Sequence, residues 1–270
     1  MSSTKPKALA VVIAVVFAAL FVGFRKTETK TDAESQYQLG LRYDSGDGVK
    51  QDKRKAVEYY RKAAEQGFAD AQLNLASCLF SGEGVKKDEA EAVKWYRKAA
   101  EQGHAKAQYD LGLCYMKGFS VKRDEAEAVK WYRKAAEQGL ADAQNNLGSC
   151  YLDGRGVKQD MTEAVKWYRK AAEQGFAQAQ YNMGNCCRRG DGVKQDKAEA
   201  AKWYRKAAEQ DFYLAQDNLG MCYLFGEGVK QDDKEAAKWL RLAAAQGDEN
   251  AQAALDWLRK GKPANRTSPK

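Results

Sequence analysis

Histidine is almost absent. Of 270 residues only His104 carries an imidazole, so a His-rich zinc site and a relay of several imidazoles are excluded. Proline is nearly as scarce: Pro6, Pro263 and Pro269 leave residues 7–262 without one, and no pyrrolidine ring interrupts a helix there. The six cysteines include no Cys-x-x-Cys pair, the spacing that zinc and dithiol sites use. An excess of one charge is missing too, except at the two ends. The formal net charge is +8, yet residues 33–258 hold 35 basic and 35 acidic side chains. The surplus lies in residues 1–32 and 259–270, so the central part lacks the basic field a nucleic-acid binder needs.

What the chain has in abundance is repetition. The run Gln66-Gly67-Phe68-Ala69-Asp70-Ala71-Gln72 returns, with substitutions, from Gln102, Gln138, Gln174, Gln210 and Gln246, each 36 residues after the last. Six units result, 33–68, 69–104, 105–140, 141–176, 177–212 and 213–248, with a partial seventh at 249–260. A period of this length marks an array of small supersecondary units.

Each unit reads as two helices. The first has apolar or small residues at helical spacing, as in Ala107-Gln108-Tyr109-Asp110-Leu111-Gly112-Leu113-Cys114-Tyr115. A glycine loop follows, such as Gly82-Glu83-Gly84-Val85, with one valine per unit as an apolar plug; the third unit departs with Gly118-Phe119-Ser120. Asp52, Asp88, Asp124, Asp160, Asp196 and Asp232 are expected N-caps of the second helix. Glu91, Glu127, Glu163, Glu199 and Glu235 stand three residues later and predict capping boxes in five units. Gly67, Gly103, Gly139, Gly175 and Gly247 suit the left-handed terminator position, which Asp211 takes once. Glycines inside the first helix, such as Gly40, Gly148 and Gly184, cost about 1 kcal/mol of helix propensity each, which predicts close approach of a partner helix.

The succession Ala-x-x-x-Leu-Gly-x-x-Tyr, Gly-x-Gly-Val-x-x-Asp and Ala-x-x-Trp-Tyr-x-x-Ala-Ala-x-x-Gly resembles the Sel-1-like repeat over residues 33–260. That family is similar to the tetratricopeptide repeat, with a longer loop. The resemblance implies an all-α fold: a right-handed α/α superhelix, or solenoid, of six 36-residue helix pairs plus a capping helix. It implies a concave face lined by first helices and a role as adaptor or scaffold, with no catalytic residues and no cofactor.

A partner on that face would meet the side chains one, five and eight residues after the repeated glutamine, columns that vary between units while the scaffold columns do not. Tyr37, Leu73, Tyr109 and Tyr181 come from the first column, Leu113 from the second, and Phe80, Met116, Leu152, Arg188 and Leu224 from the third. A ladder two residues after the glutamine adds Asn74, Asp110, Asn146, Asn182 and Asn218, whose side chains suit hydrogen bonding to a bound peptide backbone. Lys-Trp-Tyr-Arg-Lys runs on the second helices imitate a nucleic-acid motif. Their Trp is expected to face inward and their bases to pair with Glu one turn away, as Glu91 with Lys94. No nucleic acid is therefore expected.

Cys78, Cys114, Cys150, Cys186 and Cys222 share one register, and Cys187 is out of it. Stacked helices sit about 10 Å apart, beyond the roughly 7 Å a disulfide spans, so buried free thiols are expected. Some extracellular relatives with two cysteines per repeat bridge their helices; this chain has a single register cysteine in each of the second to sixth repeats and none in the first. His104 follows Gly103 where other units have Phe68, Leu140, Phe176 and Phe212, and reads as a packing substitution.

Outside the repeats, residues 1–7 form a basic segment and 8–24 an uncharged apolar run of 17, expected to be a transmembrane signal-anchor, or a signal peptide in the alternative reading. Residues 25–32 read as a linker and 261–270 as a disordered basic tail. The expected function is a single-pass, membrane-tethered scaffold with extracytoplasmic repeats that binds a protein or peptide in its groove. Two alternatives accompany it: a secreted or envelope member of the family that binds or hydrolyses β-lactams, and an endoplasmic-reticulum quality-control adaptor. No Ser-x-x-Lys motif lies within the repeats to support the enzyme.

Overall fold

The computed structural model describes residues 32–260. The basic segment 1–7, the apolar run 8–24, linker residues 25–31 and the tail 261–270 lie outside the described residues. Within them all regular structure is helical. Helix α1 (32–45) is followed by α2 (Lys53–Glu65), α3 (Ala69–Ser81), α4 (Glu89–Glu101) and α5 (Ala105–Lys117). Then come α6 (Glu125–Glu137), α7 (Ala141–Asp153), α8 (Met161–Glu173), α9 (Ala177–Arg189), α10 (Lys197–Ala208), α11 (Tyr213–Phe225), α12 (Asp233–Ala245) and α13 (Glu249–Arg259). They form two compact units divided between Arg123 and Asp124, and in each unit consecutive helices pack on one another. Helix α1 already includes Asp32, the last residue of the expected linker. No described helix is long and apolar enough to cross a membrane.

Every expected aspartate caps its helix. Asp88, Asp124, Asp160 and Asp196 accept from the backbone N–H three residues on, at 2.8–2.9 Å. In four of the five expected capping boxes the reciprocal half does not form. The N–H groups of Asp88, Asp160, Asp196 and Asp232 donate to carbonyls of Leu79, Tyr151, Cys187 and Tyr223 on the preceding helix, which frees the glutamates. Glu127, Glu163 and Glu199 turn to Lys130, Lys166 and Lys202. Glu91 pairs not with Lys94 but with Arg61 of α2, at 2.6 Å, and also accepts from the Trp95 indole.

Two glycine positions set the spacing of the repeats. Gly148, inside α7, lies under the ring of Tyr168 on α8, and a Cβ there would stand 2.8 Å from Cδ1. Gly228, at φ +74, lets its loop rest on the carbonyl of Lys197 at the start of α10, where any side chain would collide with backbone. The third loop has Ser120 in the corresponding place, held at φ 49.

A buried glutamine joins each pair of successive repeats within a unit. Gln180 of α9 donates to the Ala172 carbonyl of α8 at 3.2 Å and accepts from Gln210, just beyond α10, at 2.8 Å. Gln72 and Gln216 do the same with Ala64 and Gln102 and with Ala208 and Gln246. Each of these helix C-terminal carbonyls also accepts from a backbone N–H, of Gly175, Gly67 or Asp211, so the glutamine amide supplies its second donor and links it to the next repeat.

Candidate partner-binding face

In the first unit Tyr37 lies on α1, Leu73, Asn74 and Phe80 on α3, and Tyr109, Asp110, Leu113 and Met116 on α5. All are partly exposed except Met116, which is only 8 % accessible and offers no surface to a partner. Tyr37 packs 5.0 Å from the Phe68 ring and 5.9 Å from Tyr60, and its hydroxyl accepts from Asn74 at 3.4 Å. Lys106 lies 4.5 Å over Tyr109 and pairs with Asp110 at 3.2 Å. Phe80 sits 6.5 Å from Tyr96 and meets Phe119 edge-on at 5.4 Å. Phe119 is 40 % exposed.

In the second unit Asn146 and Leu152 lie on α7, Tyr181, Asn182 and Arg188 on α9, and Asn218 and Leu224 on α11. Leu224 is 1 % accessible and belongs to the core formed with Leu240, Ala251 and Leu255. Contrary to expectation, neither Leu224 nor Met116 belongs to the binding face. The eighth position falls about 80° from the buried glutamine, at the edge of the core, so what the neighbouring elements bring against it decides its burial: Met116 and Leu224 are covered, whereas Phe80, Leu152 and Arg188 stay partly exposed. The amide ladder also differs from expectation. Asn182 donates to the Asn145 side chain of α7 at 2.8 Å, as Asn74 does to Tyr37, so these amides tie first helices together and are not held ready for a peptide backbone.

Polar groups cluster around Tyr204. Its hydroxyl donates to Asn185 at 2.8 Å, burial pushes its pKa well above the usual phenol range, and the adjacent Arg188 guanidinium opposes that rise. Tyr181 fills the space between Tyr204 and Phe212, with ring centroids at 6.1 and 5.5 Å. One repeat on, Asp217 stands in the Tyr181 column; burial, and then the charge of Asp248, push its carboxyl up to about 6.

Sequence reasoning missed two elements of this face. Phe119 was visible only as a departure from the loop pattern. The clasps Arg97–Tyr115, Arg133–Tyr151 and Arg205–Tyr223, each a guanidinium donating to a hydroxyl 18 residues on, were legible as a repeated pair of columns. Cys187 is the residue found 18 positions beyond Arg169, which is why it falls outside the register of the other cysteines.

All six thiols are free, and five are buried. Burial raises each of them, Cys114 and Cys186 to about 12 and Cys78, Cys150 and Cys222 to about 11, which leaves them poor nucleophiles. Among the described residues no three His, Cys, Asp or Glu side chains are grouped to hold a metal ion. His104 is not the packing substitution expected. It caps α5, its Nδ1 accepting from the Ala107 N–H at 3.3 Å while Nε2 donates to Asp70 at 2.9 Å.

Comparison with known proteins agrees with this architecture. The Sel1 repeat matches residues 33–68, 69–104, 105–140, 141–176, 177–212 and 214–248. The chain is 40% identical to c5321, a protective antigen of uropathogenic Escherichia coli strains with an SLR fold; the match has a TM-score of 0.82 and covers 89% of this chain and 52% of that one. This chain thus spans about half the length of that relative. A Sel1 repeat protein from Oxalobacter formigenes is 38% identical, with a TM-score of 0.73, over 78% of this chain and 85% of its own. No curated protein matches. Six matched repeats, covering most of the chain, place it in the Sel1 repeat family.

Proposed function

We propose that the chain is a non-enzymatic scaffold that captures a protein or peptide partner on the face of its first helices, tethered to a membrane by residues 8–24. The observation that carries the reading is the Phe80–Phe119 pair. Phe119 is a large apolar side chain, 40 % exposed, at the loop position after Gly118 where the second, fourth, fifth and sixth repeats carry Glu83, Arg155, Asp191 and Glu227. It meets Phe80 edge-on at 5.4 Å. An exposed phenylalanine set edge-on against a partly exposed one is the kind of anchor on which binding energy concentrates. Half-buried Leu73 and Leu113 add apolar area on neighbouring helices of the same unit.

The varied first-helix columns, set against constant capping and glycine columns, support the same reading. The description of the Escherichia coli relative as a protective antigen supports repeats placed outside the cytoplasm.

The test is site-specific photocrosslinking from position 119 in the full chain, expressed in its native membrane. A discrete crosslinked partner is expected, and F80A/F119A should lose it while retaining the helical circular-dichroism signal. A partner captured equally by the double variant overturns the reading. Full-length chain recovered in the supernatant after alkaline extraction overturns the tether.

A further inference from the structure

The column of residues that follows the repeated glutamine ends in a chemical reversal. Tyr37 faces the Phe68 ring at 5.0 Å, and Tyr181 faces Phe212 at 5.5 Å. One repeat beyond Tyr181 and Phe212, the corresponding positions are Asp217 on α11 and Asp248, the N-cap of α13. At the positions of an aromatic pair the last repeat thus carries two acidic residues.

The polar partner that this column normally has is missing as well. Tyr37 and Asn145 each accept from an asparagine 37 residues on, Asn74 at 3.4 Å and Asn182 at 2.8 Å. The residue 37 positions after Asp217 is Ala254, which has no donor. Asp217 Oδ1 is accordingly shut off from solvent without a hydrogen-bond partner. Asp248 is 7 % accessible and uses its own Oδ1 to accept from the N–H groups of Asn250 and Ala251.

From α13 the facing group is Asp248, whose charge adds to burial in raising Asp217. The nearby cations are engaged elsewhere or exposed. On α12, Lys238 is occupied with Glu235 and the Trp239 ring, and Arg241 is exposed. On α10, Arg205 is held by Tyr223; on α9, Arg188 acts on Tyr204 and Cys222.

We propose that Asp217, facing the N-cap Asp248, makes α13 a proton-controlled cap, docked tightly on α11 and α12 while Asp217 is protonated and loosened when Asp217 ionises. Helix α13 suits this role because it is the outermost described helix and closes the core of Leu224, Ala236, Leu240 and Ala243 with Ala251, Ala254 and Leu255. Asp217 is half-buried, so ionising it places charge on an Oδ1 that has no partner beside α13, and displacing α13 is the local motion that hydrates that oxygen. The raised affinity of Asp217 for its proton agrees in direction: a group bound more tightly in the docked state favours docking at acid pH, and that contribution is lost as pH rises through about 6.

Hydrogen exchange of the amides in residues 249–259 of the full chain tests the cap, after correction for the intrinsic pH dependence of exchange. Protection at pH 5 should exceed that at pH 7.5 by about tenfold. In D217N the helix should be well protected at both values. D248N retains a good N-cap residue and removes one charge, so the pH dependence should shrink there without loss of the fold. Equal wild-type protection at the two pH values overturns the proposal, as does a full pH dependence that survives in D217N or in D248N.

Discussion

Gly148 on α7 and Tyr168 on α8 are matched in size: a Cβ on the glycine would stand 2.8 Å from Cδ1 of the ring and 3.1 Å from the Ala164 carbonyl oxygen. The helix tolerates a poor helix former because the tyrosine fills the space it leaves. G148A should therefore destabilise the protein by about 1–3 kcal/mol, although alanine is the better helix former. Adding Y168L should recover part of the loss, since the two sites share one space. Urea midpoints of the single and double variants measure both effects; a stabilising G148A would refute the packing account.

Ser120 and Asp211 are the two described non-glycine residues with positive φ, at 49° and 61°. Glycine relieves the backbone conflict at both. S120G and D211G should each raise stability by about 0.5–1 kcal/mol, less any contribution from the long contacts of Ser120 with Glu89 and of Asp211 with Gln216. The thermal midpoints of the two single variants give the answer, and a drop in either would contradict it.

Replacing Gln180 with leucine removes the donor to Ala172 and the acceptor for Gln210 while preserving much of the volume. A cost of about 1 kcal/mol is expected from the two lost hydrogen bonds, since the Ala172 carbonyl keeps the Gly175 N–H and the Gln210 amide keeps the Lys206 carbonyl. Q180L with wild-type stability would show that the glutamine only marks the repeat.

The cysteines should be slow. With every thiol raised above its ordinary value, the thiolate fraction at pH 8 is small, and burial adds a steric barrier. Reaction with a disulfide reagent should begin at Cys78, the half-buried one, and reach six equivalents only in denaturant. Rapid modification of Cys186 or Cys187 in the native protein would contradict this.

Glu91 provides a pH dependence of the usual acidic kind. Its hydrogen bond from Arg61 holds its carboxyl below the ordinary carboxylate value, with the Trp95 indole adding to the effect. The folded state binds this proton less tightly than the unfolded chain. The stabilisation is therefore present above about pH 4.5 and is lost as pH falls through the folded value. E91Q should flatten the acid limb of the stability profile slightly, because the pair is partly exposed.

Much of the fold was legible in the sequence because its signals are local. An aspartate followed by helix formers caps whatever helix comes next, and a glycine at a terminator position takes positive φ without reference to distant residues. The periodicity therefore placed the helices, their caps at Asp88 and Asp160, and the burial of the cysteine column. The candidate site was less legible. Asn74 and Asn182 looked available for a peptide, and only the packing of one first helix on the next showed their amides already bonded to Tyr37 and Asn145. Leu224 looked exposed until α13 was seen to cover it. His104 shared a column with aromatic residues, and its ring proved to be held by a backbone N–H and by Asp70 of the preceding repeat.

By itself, then, the sequence determined the all-helical repeat, its 36-residue register and the neutral charge of its body, since each depends on residue types at fixed separations along one chain. Only the tertiary structure decided which side chains remain free to meet a partner. That depends on the rotation of each helix about its own axis and on what the next repeat brings against it, as with Phe119 beside Phe80 and Asp248 beside Asp217.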